Sequence, residues 1–255
     1  MENLRETLQL VSVDKIDLHE AYEPGRLEKT KASIEKEQRL RHPVLVVKTK
    51  LGRYMVIDGV HRYMSLRMLG CQMIPVQIIH RTQYSIGSWH HKIRSGRWCD
   101  ILANEPLLPW TTEVRETPPF ITMCDSHTEY YLYKADLGNH SLEAWKKIVQ
   151  CYSSRCKVER IPHRTRLCLD SGDVLMKYPP LQMSEIEAIV NKGQKVPAGV
   201  TRFNIVGRCL NLQVPLRLLT GRDALTQHRQ WRTFLQKKIE NMRCYTEKVY
   251  LIEGE

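Results

Sequence analysis

The run from Tyr54 to Ile79 constrains the fold most, because its period changes twice within a short span. Tyr54 to Ile57 is apolar and reads as a strand. Gly59 to Leu69 has helical spacing, with Tyr63, Leu66 and Leu69 on one side, and Gly70 is a natural helix stop. Ile74 to Ile79 is again strand-like. Strand, tight turn, helix and strand in this order need a sheet with the helix packed against it, and an α/β unit is expected here.

The junction of the first strand and the helix is Asp58-Gly59-Val60-His61-Arg62. A helix start leaves backbone N–H groups unpaired and carries a positive dipole end, so a phosphate is stabilised there. Gly59 permits close backbone approach, and His61 and Arg62 add donors; an arginine can grip a phosphate through two parallel hydrogen bonds. Asp58 would repel a bare anion. Two roles fit it: a ligand to Mg²⁺ bridging carboxylate and phosphates, or the cap of an Asp-Gly turn.

The flanking chain extends the pattern. Leu8 to Ile16 reads as a strand, Arg26 to Gln38 as a surface helix with Leu27 and Ile34 in a narrow stripe, and Pro43 to Val47 as a buried strand. Residues 1–80 therefore form one compact module. Beyond Thr82 the periodicity weakens, and residues 81–255 are expected to form a second α/β domain. Within it Phe120 to Cys124 and Tyr130 to Tyr133 suit paired strands. Ser141 to Tyr152 suits a helix, Asp173 to Tyr178 and Val200 to Ile205 suit strands, and Lys248 to Ile252 suits a last strand. Ser184 and Glu187 have capping-box spacing before a short helix ended by Gly193. Asp223 to Met242 is the longest helical pattern, with Leu225, His228, Trp231, Leu235, Ile239 and Met242 along one face.

Composition narrows the class. With 42% hydrophobic and 26% charged residues, the chain can bury an ordinary globular core. No apolar run approaches the ~20 residues of a membrane span. Met1 to Thr7 lacks a signal-peptide pattern, so a cytoplasmic protein is expected. The 8 cysteines include no Cys-x-x-Cys pair, which points to reduced thiols over a zinc site. A net charge of +11 suits an anionic partner, nucleotide or nucleic acid alike. Neither a Gly-x-x-x-x-Gly-Lys-Ser/Thr loop nor the protein-kinase signature set is present.

The stretch Val56 to Pro75, VIDGVHRYMSLRMLGCQMIP, with Arg41-His42-Pro43-Val44-Leu45-Val46 before it, resembles the signature of the ParB/sulfiredoxin superfamily. The Asp17-Leu18-His19-Glu20 segment and Pro197 to Phe203 are similar to its free-serine kinase branch. That resemblance implies a nucleotide-binding N-terminal domain (1–80), a C-terminal substrate-binding domain (81–255) and an active site in the cleft between them. It implies ATP and Mg²⁺ as cofactors and free L-serine as acceptor. The product would be O-phospho-L-serine, made as a siderophore precursor. A DNA-binding regulator of the ParB type is the alternative, with DNA as a partner. A sulfiredoxin-like reductase would need a cysteine beside the turn, where His61 and Arg62 stand.

The resemblance aligns Glu20 with the catalytic carboxylate that accepts the hydroxyl proton, a role kinase chemistry requires. Glu23 competes for it on local sequence alone. Thr201 and Arg202 are expected to hold the serine carboxylate, although Phe203 replaces the histidine that follows them in the family pattern. Trp98 could wall the substrate pocket or belong to the core. His90 and His91, adjacent on a strand, point to opposite faces and read as solvated.

Overall fold

A computed structural model describes residues 4–221 and 223–244. The first part of the chain runs α1 (Leu4–Thr7), β1 (Leu8–Ser12), β2 (Ile16–Leu18), α2 (Pro24–Glu37), β3 (Arg39–Leu40), β4 (Val44–Lys48), β5 (Tyr54–Asp58), α3 (Val60–Met68) and β6 (Met73–Ile78). Five strands form a mixed sheet in the order β1-β6-β4-β5-β2. The expected single strand from Leu8 to Ile16 is two strands parted by a 3₁₀ turn over Val13–Lys15. The break is topological: β1 and β2 occupy opposite edges of the sheet, so the chain must leave the first edge to reach the second.

The unbroken apolar run in β4 follows from burial of both sheet faces. Successive side chains alternate across a strand. Val44 and Val46 pack with Val56, Val60, Leu66 and Ile74 on one side. Leu45 and Val47 pack with Met55, Ile57, Ile186 and Phe203 on the other. A strand covered on both faces carries no polar alternation.

The chain continues as β7 (Tyr84–Arg94), α4 (Arg97–Ala103), β8 (Ile121–Cys124), β9 (Glu129–Leu132), α5 (Lys134–Leu137), α6 (Ser141–Ser153), β10 (Glu159–Pro162), β11 (Asp173–Lys177), α7 (Met183–Asn191) and β12 (Thr201–Ile205). The second sheet has the order β10-β7-β11-β8-β9, and β12 also pairs with β7. β8 and β9 pair antiparallel as expected. The weakened periodicity after Thr82 conceals β7, an 11-residue strand. Ser88 and His91 sit inside because each finds a partner. Ser88 Oγ donates to Tyr178 O at 2.6 Å. His91, expected to be solvated, is 2% exposed. Its Nδ1 lies 2.6 Å from the Tyr152 hydroxyl and its Nε2 2.9 Å from Gly199 O. Burial pushes its pKa down to about 4, so the ring is neutral.

Three further expectations are corrected. The capping box of α7 is Gln182 with Glu185, two residues earlier than Ser184 with Glu187. Trp98 is not in a pocket: it is buried in the second core against Tyr152, and its indole N–H donates to Arg94 O at 2.9 Å. The last helix buries Gln227, Trp231 and Leu235, while Leu225 is 80% exposed and Met242 also faces solvent. Lys248 to Ile252 lies outside the described residues.

The chain then returns to its beginning through β13 (Val214–Pro215), α8 (Leu216–Leu219) and α9 (Ala224–Ile239). β13 pairs with β3, and Val214, Leu216, Leu219, Trp231 and Leu235 join the core of the first sheet. The division at residue 80 is thus crossed by this segment, which packs with residues far earlier in the sequence. Among the described residues, no helix is long and apolar enough to cross a membrane.

Candidate active site

Glu20, Asp58, Gly59, His61, Arg62, Thr201 and Arg202 line one cleft of about 1020 Å³. The cleft also receives Arg26, Arg160 and Arg208, so five arginines face two carboxylates, Glu20 and Asp58. That excess of positive charge suits a polyphosphate. Trp98, the remaining expected site residue, lies in the core; Trp89 lines the cleft instead.

The turn is built as a clasp. β5 ends at Asp58, and Gly59 has φ +97° before α3 begins. The left-handed backbone favours glycine here, and a Cβ on Gly59 would stand 2.7 Å from Arg62 Nη2, displacing that guanidinium. Arg62 donates to Asp58 Oδ2 at 2.8 Å and to Pro43 O. Burial lowers the Arg62 pKa while Asp58 opposes that shift. Arg208 reaches the same Asp58 oxygen at 3.1 Å. Arg62 therefore fastens the turn to the neighbouring strand, and Arg208 is the more exposed of the two cations.

His61 Nε2 accepts the backbone N–H of Glu23 at 3.0 Å. Burial lowers its pKa, with Arg26 adding to the shift, and the ring is neutral. Since Nε2 accepts, the hydrogen of the neutral ring is on Nδ1. Glu23 itself is paired with Arg160 and Arg26.

Glu20 is held differently. Val196 N donates to His19 O at 2.9 Å and Ala21 N to Val196 O at 3.0 Å, forming a parallel bridge between Glu20 and Val196. The Glu20 carboxylate then accepts Gly199 N–H at 3.0 Å. Gly199 has φ +72°, and a Cβ there would meet the Arg160 guanidinium at 2.2 Å. After this turn, β12 pairs with β7, placing Thr201 opposite Ser88 and Arg202 opposite Gly87. The Arg202 guanidinium lies 4.5 Å from the centre of the Trp89 ring, a cation–π contact. Thr201 Oγ1 is buried without a hydrogen-bond partner. Phe203 is buried edge-on to His19 and Tyr84.

Arg26, Trp89, Arg160 and Arg208 escaped the sequence reading. Arg160 and Arg208 lie in stretches without clear periodicity, and only the folded sheet brings them to the turn. Trp89 stands immediately before His90 and His91, the two histidines read as solvated. Among the described residues, no group of three or more His, Cys, Asp or Glu side chains converges as a metal site. Mg²⁺ in nucleotide sites needs only one or two carboxylates, the rest of its shell coming from phosphates and water.

No family model matches the chain. It is 60% identical over 253 residues to the ATP-dependent L-serine kinase SbnI of Staphylococcus aureus, covering 99% of this chain and 100% of that protein. A structure of SbnI with C-terminal truncation from the same organism superposes with a TM-score of 0.88 at 59% identity, covering 94% of this chain and 100% of that one. The fold is shared more widely. A free serine kinase in complex with AMP superposes with a TM-score of 0.69 at 18% identity, over 84% of this chain and 93% of that one. With 60% identity along nearly its whole length, the chain belongs to the family of the ATP-dependent L-serine kinase SbnI.

Proposed function

We propose that the protein is an ATP-dependent kinase of free L-serine, making O-phospho-L-serine and ADP. The observation that carries this reading is the meeting of Glu20, the Asp58–Arg62 turn and the Thr201–Arg202 strand in one arginine-rich cleft. Residues 1–80 would supply a ParB/sulfiredoxin-like nucleotide-binding lobe, and the following chain the serine-binding side of the cleft. As the sequence resemblance implies, the product would feed siderophore assembly.

In this reading the nucleotide phosphates sit at the start of α3, where free N–H groups and the neutral His61 Nδ1–H donate to them. Arg208 leaves Asp58 for the phosphates. Asp58 suits Mg²⁺, since it is a single carboxylate at a strand end beside the phosphate turn; the ion would neutralise charge between the β- and γ-phosphates. Serine lies with its carboxylate toward Arg202 and the unpartnered Thr201 hydroxyl. Glu20 points at the serine hydroxyl and takes its proton as the oxygen meets the γ-phosphorus in line. Glu20 fits this role better than Glu23, whose carboxylate is held by two arginines. The protein contributes mainly positioning and charge stabilisation.

Incubating the protein with L-serine, Mg²⁺ and either ATP or ADP tests the proposal. Phosphoserine is expected with ATP; its absence with both nucleotides would refute the reading.

A further inference from the structure

His19 immediately precedes Glu20 and is 1% exposed. Its Nδ1 lies 2.5 Å from Val56 O. A carbonyl oxygen only accepts, so Nδ1 carries a hydrogen, and a ring with that single hydrogen presents Nε2 as a bare lone pair. That Nε2 is buried with no hydrogen-bond partner. The Glu20 Oε2 atom stands 4.0 Å from it. The Phe203 ring lies edge-on to the imidazole at a centroid separation of 5.2 Å. A buried acceptor without a donor is rare in folded proteins and costs stability. Here two acceptors, imidazole nitrogen and carboxylate oxygen, face each other across a gap. An ordinary core histidine would satisfy both nitrogens, as His91 does.

Phosphoryl transfer delivers what this gap lacks. The geometry points to His19 as the group that takes up the serine proton from Glu20, an inference resting on Glu20 as the base. The serine Oγ–H bond breaks and its proton goes to the Glu20 carboxylate. Serine Oγ bonds to the γ-phosphorus as the bond from that phosphorus to the ADP oxygen breaks, the electron pair staying on ADP. The proton on Glu20 then passes to His19 Nε2. A closure of about 1 Å brings the pair to hydrogen-bond length. The imidazolium keeps its Nδ1–H on Val56 O and lies against the regenerated carboxylate, and its proton leaves to water with the products. His19 touches neither substrate; it is a positioning residue that keeps Glu20 poised to accept.

The test compares full-length wild type, His19→Asn and Glu20→Gln. Asparagine retains an amide N–H for Val56 O but has nothing in place of Nε2. The expected result for His19→Asn is a kcat lower by roughly 10- to 100-fold, less than the roughly 100- to 10,000-fold of losing the base itself, with the KM values for ATP and serine little changed. Nitrogen-15 NMR of histidine-labelled wild type should show two rings with Nδ1 protonated and Nε2 unprotonated, His61 and His19, and the His19 signal alone should be lost in His19→Asn. A wild-type kcat in His19→Asn, alongside an inactive Glu20→Gln, overturns the His19 role alone. Full turnover by Glu20→Gln overturns the reading of Glu20 itself. Should His19→Asn fail to fold, the spectrum of the wild type decides: a free enzyme with Nε2 already protonated overturns the proposal.

Discussion

The backbone N–H of Gly199 donates to the Glu20 carboxylate across 3.0 Å, joining two residues 179 positions apart in the chain. The bond fixes the carboxylate from the far side of the cleft. It depends on a left-handed backbone at Gly199, with the Arg160 guanidinium packed where a side chain would begin. Gly199→Ala should therefore cost about 1–2 kcal/mol for the backbone alone and displace Arg160 as well. Thermal unfolding and kcat should fall together in this variant. Unchanged values for both would show that the turn does not position Glu20.

The two tryptophans offer a contrast. Trp98 is a core residue, so Trp98→Phe should lower stability by roughly 1–3 kcal/mol through the lost hydrogen bond to Arg94 O and the reduced packing. Its KM for serine should not move. Trp89→Ala should do the opposite, because it removes the ring beneath Arg202. The contact is worth about 0.5–1 kcal/mol at an exposed site, a KM increase of a few-fold with little change in melting temperature. Steady-state kinetics and thermal melts on both variants check this.

Asp58 holds two arginines in the free protein. Asp58→Asn should weaken both pairs and, in the proposed reading, raise the Mg²⁺ concentration needed for half-maximal activity or abolish turnover. A Mg²⁺ titration of initial rate is the measurement. An unaltered metal dependence would remove Asp58 from that role.

Stability should fall on mild acidification. His91 has a folded pKa of about 4, against 6.5 for the ordinary ring, because burial disfavours its charged form. Between these values the unfolded chain binds the proton and the folded chain does not. Stability is thus fully present above pH 6.5 and is lost as pH falls toward 4, by up to about 1.4 kcal/mol per pH unit from this one group. His90 is depressed to a similar value and adds in the same direction. Urea unfolding at pH 7 and pH 5 should show a lower midpoint at pH 5, with a smaller difference in His91→Asn. An equal midpoint at both pH values would contradict the buried neutral ring.

The first sheet was legible in the sequence because its signals are local. Gly59 and Gly70 bound α3, and Val44 to Val47 is apolar throughout since both faces are covered. The long strand β7 was not legible, because Ser88 and His91 are polar residues made tolerable by partners on distant elements. The same reason hides part of the cleft. Asp58 to Arg62 announces itself as a contiguous motif, whereas Arg160 and Arg208 reach it only through sheet pairing and chain return. For Trp98 the sequence leaves pocket wall and core both open, and strand and helix geometry decide that Trp89 faces the cleft and Trp98 the core.

Phosphorus-31 NMR of the wild type and Glu20→Gln, each incubated with L-serine, Mg²⁺ and ATP, tests the central claim most directly. Wild type should convert ATP to ADP with a matching phosphoserine resonance. Glu20→Gln should form phosphoserine at least about 100-fold more slowly while its nucleotide affinity stays near that of wild type. No phosphoserine from the wild type, or equal rates from the two proteins, would contradict a serine kinase that uses Glu20 as its base.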